Sequence, residues 1–335
     1  MQPKLRWGIL GTASIAVRRM IPALAACETG EAVAIASRDA AKAAQTAAAC
    51  GISRSYGSYE ELLRDQQVDC VYIPLPNHLH VEWTVRALEA GKHVLCEKPL
   101  AWSAHDVEQV MEVQQRSGRL AMEGFMVRCH PRWIRSRQLI ELGTLGPLRS
   151  VHGVFAYFNR DPGNVRNRKD WGGGGILDIG CYPVYVARWM FGAEPLRVAA
   201  IAERDPEFGV DRLASALLEF EHGQASFVCG TQLARAQRME LHGEQARAEI
   251  EIPFNPPTDR PARLWLDEGD LTGETRRLEA FAPCDQFVLQ ADAFANAVWG
   301  LAPPPVPLDD SRRQAAVLEA ILLAAESRQW ATVSG

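Results

Sequence analysis

The stretch Leu5-Arg6-Trp7-Gly8-Ile9-Leu10-Gly11-Thr12-Ala13-Ser14-Ile15-Ala16 decides the fold. A short apolar run, Leu5–Leu10, ends on a glycine and passes at once into a segment of helical periodicity over residues 14–26. This is the strand, turn and helix of a dinucleotide fingerprint. Small residues there allow a tight turn, close approach of backbone to pyrophosphate, and close helix–strand packing. Phosphate then meets the unpaired N–H groups of the helix start. Ala13 and Ala16 stand where the second and third glycines usually do. Taken alone, the segment reads equally well as an ordinary helix-opening turn. Its position directly after the first strand favours the fingerprint, with Gly11, Thr12, Ala13, Ser14 and Ile15 as the phosphate-side residues.

Outward from this stretch the pattern repeats. Apolar runs at 32–36, 70–74, 93–96 and 120–123 alternate with helical segments at 39–50, 79–90 and 104–117. Alternation of this kind is how a parallel sheet with crossover helices looks in sequence. Gly91 and Gly118 follow two of these helices in stop positions. The fold class expected is therefore an α/β Rossmann domain, a doubly wound parallel sheet, over residues 1–125.

From residue 126 to 335 the character changes. After a helix at 131–142, strands follow one another at 148–158, 196–202, 213–220, 225–231, 238–242, 248–252 and 263–266, several alternating apolar with polar residues. A helix at 176–191 interrupts them, and helices at 285–299 and 309–328 close the chain, joined by the stiff 303–307 connector; Asp309 or Ser311 is read as the cap of the last. The second domain reads as α+β with an open-faced sheet. A chain of 335 residues is comfortably two such domains.

Composition excludes several classes of function. The 36 Lys and Arg against 41 Asp and Glu leave a net charge of -5, with no basic block for nucleic acid or a membrane surface. The eight cysteines, at 27, 50, 70, 96, 129, 181, 229 and 284, show no metal-ligand spacing, so no metal is expected. They read as small buried hydrophobes of a reducing compartment. The first strand leaves no room for a secretory signal, and no apolar run would span a bilayer. The expected location is the cytoplasm.

Three further motifs carry chemistry. At the end of the second strand stands Ser37-Arg38, where NAD enzymes usually place an acid for the ribose hydroxyls. A guanidinium suits a 2′-phosphate, which points to NADP with NAD as second candidate. The rival reading makes Arg38 a surface residue and Asp39 the acid, although Asp39 serves equally as a helix cap. Glu97-Lys98-Pro99 directly follows a strand, at the edge where open α/β sheets bind ligands. A lysine partly desolvated there can exchange a proton with a substrate hydroxyl, whereas most lysines are solvated surface groups. The run Gly172-Gly173-Gly174-Gly175-Ile176-Leu177-Asp178-Ile179-Gly180-Cys181-Tyr182 places four glycines before a helix, a sign of backbone packed close to something. Asp178 and Tyr182 are four apart on one face, a carboxylate beside a phenol. The plainer alternative makes Tyr182 core and Asp178 a cap.

Together, in this order, the fingerprint, the Glu97-Lys98-Pro99 triplet and the glycine run leading to Asp178 and Tyr182 resemble the glucose-fructose oxidoreductase / inositol dehydrogenase / rhizopine-catabolism family. The loop Pro74-Leu75-Pro76-Asn77-His78-Leu79-His80 and the segment from Glu123 through Arg128 to His130-Pro131 are similar to that family's as well. The resemblance implies a largely antiparallel second sheet and homodimers or homotetramers. It also implies Lys98 as the catalytic lysine, Asp178 as the carboxylate that positions substrate or lysine, and Tyr182 in the place of the inositol dehydrogenases' histidine. Cofactor contacts would come from Gly11, Thr12, Ala13, Ser14, Ile15, Ser37, Arg38, Pro74, Asn77, His80, Glu97, Lys98 and Arg128. Substrate contacts would come from Lys98, Asp178 and Tyr182, and in the polar loop before the glycine run Asn159 and Arg166, with Asn164 and Arg168, are candidates for sugar hydroxyls that read equally well as surface-loop residues. The tyrosine and Ser37-Arg38 are more like the NADP-linked aldose and dihydrodiol dehydrogenases than the inositol enzymes. The expected activity is hydride transfer between nicotinamide and a hydroxyl-bearing carbon of a sugar-like substrate, an aldose giving a lactone. The alternatives are a dihydrodiol, polyol or inositol dehydrogenase, a glycosidase with an internal redox cofactor, and a non-catalytic NADP-binding regulator.

Overall fold

The computed structural model describes residues 2–334. Six parallel strands form the first sheet: β1 (Leu5–Leu10), β2 (Gly30–Ala36), β3 (Arg54–Tyr56), β4 (Cys70–Ile73), β5 (His93–Cys96) and β6 (Ala121–Glu123). Their order, β3-β2-β1-β4-β5-β6, reverses direction between β1 and β4. In such sheets ligands sit outside the carboxyl ends of the strands at that reversal. Trp7, Ile9, Val71, Tyr72, Val94 and Leu95 are fully buried, as expected of strands covered on both faces. The crossovers are α1 (Ile21–Ala26), α2 (Ala40–Cys50), the short α3 (Tyr59–Arg64), α4 (His80–Glu89) and α5 (Ala104–Ser117). The helix expected at 14–26 contains a π segment over Ala16–Met20 before α1. Neither β3 nor α3 is visible in the sequence pattern, because Arg54-Ser55-Tyr56 offers no apolar run.

The second sheet has nine strands in the order β14-β13-β12-β11-β7-β10-β9-β8-β15. These are β7 (Leu148–Phe158), β8 (Arg197–Arg204), β9 (Asp211–Phe220), β10 (Gly223–Gly230), β11 (Gln232–Gly243), β12 (Arg247–Glu251), β13 (Ala262–Asp267), β14 (Arg277–Phe281) and β15 (Ala331–Thr332). All neighbours pair antiparallel except β7 with β10. Burial alternates along β9, so that Ala214, Ala216, Leu218 and Phe220 face the core. The helices are α6 (Pro131–Glu141), α7 (Cys181–Phe191), α8 (Gln286–Val298) and α9 (Leu308–Ser327). A π segment, Ile176–Gly180, leads into α7, whose residues from Cys181 to Arg188 are all buried. The last helix begins at Leu308, which puts Asp309 and Ser311 inside its first turn rather than at its cap.

Contacts divide the chain into one unit of Met1–Cys129 with Asp285–Arg312 and another of His130–Cys284 with Arg313–Gly335. The segment that carries α8 therefore packs with the first unit, although the linear reading groups it with 126–335. Its reason for returning is apolar cover: Phe294 lies 4.9 Å from the ring of Trp7, and both are fully buried. Thr29 Oγ1 also donates to Asp292 at 2.6 Å. All eight cysteines are free. Among the described residues no helix is long and apolar enough to cross a membrane, and no group of three or more His, Cys, Asp or Glu could hold a metal.

Candidate active site

In the first unit, Gly11 leaves β1 with φ at +115°, a conformation that side chains rarely adopt, and its N–H donates to Ala36 O at 2.9 Å. The helix opens at Ser14, and Ala16 is fully buried. Small residues, a bent backbone and an opening helix together suit a pyrophosphate. At the end of β2, Ser37 is buried and its Oγ accepts from Asp39 N at 3.2 Å. Asp39 caps α2 by accepting from Lys42 N at 3.0 Å, so its carboxylate is already in use as a helix cap. Arg38 is exposed, with its charge close to the Tyr59 hydroxyl. These residues fit a dinucleotide that carries a 2′-phosphate.

Lys98 is half-buried on the loop after β5. That loop is fastened at several points. Tyr72 donates to Glu97 Oε1 at 2.6 Å, and Leu100 N donates to Glu123 Oε1 at 2.8 Å. Glu97 N donates to Ile73 O at 3.0 Å. His80 takes a different part from the cofactor contact expected of it. It is 1% exposed, with Nδ1 at 2.7 Å from Pro99 O and Nε2 at 2.8 Å from Leu75 O, so it ties the loop after β4 to the loop of Lys98. Burial, with Lys98 and His78 nearby, pushes its pKa down to about 4. Pro74 is buried and Asn77 half-buried on the loop after β4. Arg128 Nε donates to Pro305 O at 3.2 Å, joining the turn after β6 to the connector that precedes α9.

In the second unit the glycine run has a physical cause. A Cβ on Gly173 would strike the carbonyl oxygens of Arg166 and Arg168, and one on Gly174 would overlap the Asp211 carboxylate. Gly174 also has φ at +114°. Asp211 is 7% exposed, and its Oδ2 accepts from Ile176 N at 2.6 Å. Burial raises its pKa to about 6 against the pull of the Ile176 and Gly175 N–H groups. The cap of this helix is therefore Asp211, from another element, and Asp178 is released from that duty.

Asp178 is 8% exposed. Tyr157 Oη donates to its Oδ2 at 2.6 Å and Arg166 Nε to the same oxygen at 2.8 Å. The Asp178 charge, against burial, raises the pKa of Arg166, while burial and Asp178 raise that of Tyr157. Both donors remain protonated, so Asp178 is held as a carboxylate. Tyr182 is 6% exposed, and its ring packs 5.7 Å from Phe155 and 5.1 Å from Phe254. Its ring belongs to the core, and its hydroxyl is near enough to Arg166 to add to the rise in that group's pKa. Asn159 spends Oδ1 on Asp161 N and Asn167 Nδ2, at 3.0 and 3.1 Å, and so shapes the loop. Tyr157 and Asp211 escape a sequence reading, since each acts on the run from a distant strand.

Residues 5–125 match the oxidoreductase family with an NAD-binding Rossmann fold, and residues 133–249 match the GFO/IDH/MocA C-terminal domain. The chain belongs to the GFO/IDH/MocA oxidoreductase family. Within this family it is 45% identical to an uncharacterized oxidoreductase from Rhizobium meliloti, over 98% of this chain and 99% of the other. It is 38% identical to a D-xylose 1-dehydrogenase (NADP(+)) from Haloferax volcanii, over 96% and 98% of the two chains. Among solved GFO/IDH/MocA-like structures, a 3-ketoreductase from Actinomadura kijaniata in complex with NADP and TDP-benzene superposes with a TM-score of 0.90 at 33% identity, covering 96% of this chain and 98% of that one. The chain is thus an NAD(P)-dependent oxidoreductase acting on sugar-like substrates, with NADP as the cofactor its relatives support and NAD as second candidate.

Proposed function

We propose that the protein oxidises an aldopyranose at its anomeric carbon to the lactone, with Lys98, Asp178 and Tyr182 as the groups that act on the substrate. The observation that carries this reading is the Asp178 carboxylate, kept charged by Tyr157 and Arg166 on a single oxygen. A fixed carboxylate is a strong acceptor for a sugar hydroxyl and gives a polyhydroxylated ring one defined orientation. NADP, when bound, supplies the hydride acceptor. Lys98 exchanges a proton with the reacting hydroxyl, its loop held still by His80, Glu97 and Glu123. Tyr182 lends a second hydroxyl for proton exchange, its ring fixed by Phe155 and Phe254. The relative from Haloferax, by its name an NADP-linked xylose dehydrogenase, supports the aldose.

A second reading, reduction of a keto sugar by NADPH, is favoured by the likeness to the 3-ketoreductase. That enzyme has also been solved with one tyrosine or one lysine replaced, and the two positions are separated by the same number of residues as Lys98 and Tyr182. Absorbance of the nicotinamide decides between them. Formation of NADPH with aldoses supports lactone formation, and oxidation of NADPH only with keto sugars replaces it with the reductase. Lys98→Met is expected to abolish either reaction while NADP binding stays nearly intact, and turnover at the wild-type rate would remove Lys98 from the chemistry.

A further inference from the structure

The second unit carries a cavity that hydride transfer at Asp178 leaves unused. Its volume is about 580 Å³, within the range of organic-ligand sites. Asn167, Arg168, Lys169 and Asp170, from the loop after β7, line one side, and Glu207 and Phe208, from the turn between β8 and β9, line the other. Both sides are held in place. Asp205 Oδ1 accepts from Glu207 N at 2.8 Å and from Phe208 N at 3.0 Å, while its Oδ2 accepts from Gln232 Nε2 at 2.6 Å. The Arg168 guanidinium lies 4.5 Å over the Trp171 ring and forks onto Asp170 at 3.4 and 3.2 Å. Arg160 Nη2 donates to Glu207 Oε2 at 3.1 Å and ties the loop to the turn.

The lining selects the ligand's chemistry. Arg168 and Lys169 only donate, Asp170 and Glu207 only accept, and Phe208 offers an apolar face. A phosphate would meet two carboxylates, and an apolar ligand would strip water from four charged groups and give nothing back. A hydroxyl both donates and accepts, so a ring of hydroxyls with C–H faces answers every one of these groups. Asn167 adds an acceptor. It is 3% exposed, and its Nδ2 donates to Asn159 Oδ1 at 3.1 Å and to Asp161 O at 2.8 Å, which fixes the amide's orientation. Its Oδ1 is left without a donor among the described residues, a deficit that marks a site completed from outside the chain.

The backbone links this cavity to Asp178. Gly173 N donates to Arg168 O and Gly174 N to Arg166 O, both at 3.0 Å. Arg166, whose Nε holds Asp178, and Arg168, which lines the cavity, are thus anchored on adjacent glycines and lie at most about 7 Å apart along the chain.

We propose that the cavity is a second saccharide subsite and that the preferred substrate is a disaccharide. Its reducing sugar meets Asp178; its other ring lies in the cavity, with hydroxyls on Arg168, Asp170 and Glu207 and a C–H face on Phe208. This rests on a sugar being the substrate at Asp178, and the measurements separate the two claims.

Turnover with NADP is measured for xylose, glucose, xylobiose, cellobiose and maltose on the wild type, Phe208→Ala and Glu207→Gln, with thermal melts to show that each variant folds. At least one disaccharide should exceed its monosaccharide in kcat/KM by roughly 10-fold, and either substitution should remove most of that advantage while the monosaccharide changes less than about 2-fold. Titration calorimetry of the same sugars on the NADPH-loaded enzyme reads the cavity without turnover. Tighter binding of a disaccharide, lost in the variants, upholds the subsite even where no aldose is oxidised, and then only the lactone reading falls. Disaccharides that do no better than monosaccharides in both measurements overturn the subsite. So does an advantage that neither substitution reduces, or a loss that falls equally on both classes of sugar.

Discussion

Asp211 occupies the space that a side chain on residue 174 would need: its carboxylate lies where the Cβ would be, and its other oxygen accepts from Ile176 N at 2.6 Å. The first turn of the helix that bears Asp178 and Tyr182 is therefore set by a strand residue remote in sequence. Gly174→Ala should destabilise the protein by about 3 kcal/mol, since strain at φ +114° and overpacking each contribute ~1–3 kcal/mol. Denaturant midpoints measure this. Alanine at Gly118, which has positive φ but nothing within 4 Å of its Cβ, serves as control and should cost less.

The pH dependence of stability follows from three buried groups, His80, His130 and Asp211, and the half-buried His93. His80, His93 and His130 have their pKa values lowered to about 4 by burial. The unfolded chain binds their protons first, so their contribution is present above about pH 6.5 and is lost as pH falls towards 4. Asp211 works in the opposite sense. With its pKa raised to about 6, the folded state holds the extra proton, and its contribution is lost as pH rises through 6. The histidines outnumber it, so stability falls on acidification between pH 6 and 4. Asp211→Asn should steepen that fall by ~1.4 kcal/mol per pH unit, the value for one proton. Urea melts across that range test it, and an unaltered slope would show that Asp211 does not titrate there.

Tyr157→Phe removes one of the two donors on Asp178 Oδ2 and leaves Arg166 in place. A hydrogen bond to a charged group contributes about 1.5–3 kcal/mol, so kcat/KM should drop by roughly 10-fold or more with NADP affinity intact. If the loss falls on KM alone, Tyr157 acts through substrate binding; if kcat falls as well, it acts on the reacting geometry.

His80→Phe keeps an aromatic ring in the buried space but removes the single N–H that a neutral imidazole donates to Pro99 O or Leu75 O. The orphaned carbonyl costs about 1–3 kcal/mol, and the Lys98 loop is expected to loosen. Thermal melts should shift downward and kcat should fall. Wild-type kcat in a destabilised variant would show that the tie supports the fold without placing Lys98.

The alternation of strands and helices, the opening fingerprint and the placement of Lys98 after β5 were all legible in the sequence, because each rests on local periodicity. What was not legible depends on partners far apart in the chain. Tyr157 looks like any half-buried strand residue until β7 brings it to Asp178. Asp178 beside Tyr182 reads as a site carboxylate with a helix cap as the plainer alternative, and only Asp211, in that capping position, sets the alternative aside. His80 reads as a cofactor contact because its loop resembles the family's nicotinamide-side loop, yet both ring nitrogens face backbone carbonyls. The strand β14, Arg277–Phe281, carries too many charged residues to show an apolar face.

The packing of Phe294 on Trp7 has a consequence for how the protein is made. During synthesis the ribosome releases the six parallel strands early, but the patch around Trp7 stays open to water until residues 285–312 have emerged. The nucleotide-binding half cannot be finished before the other half has been translated, so a fragment ended at residue 125 would be born with its hydrophobic seam unsealed.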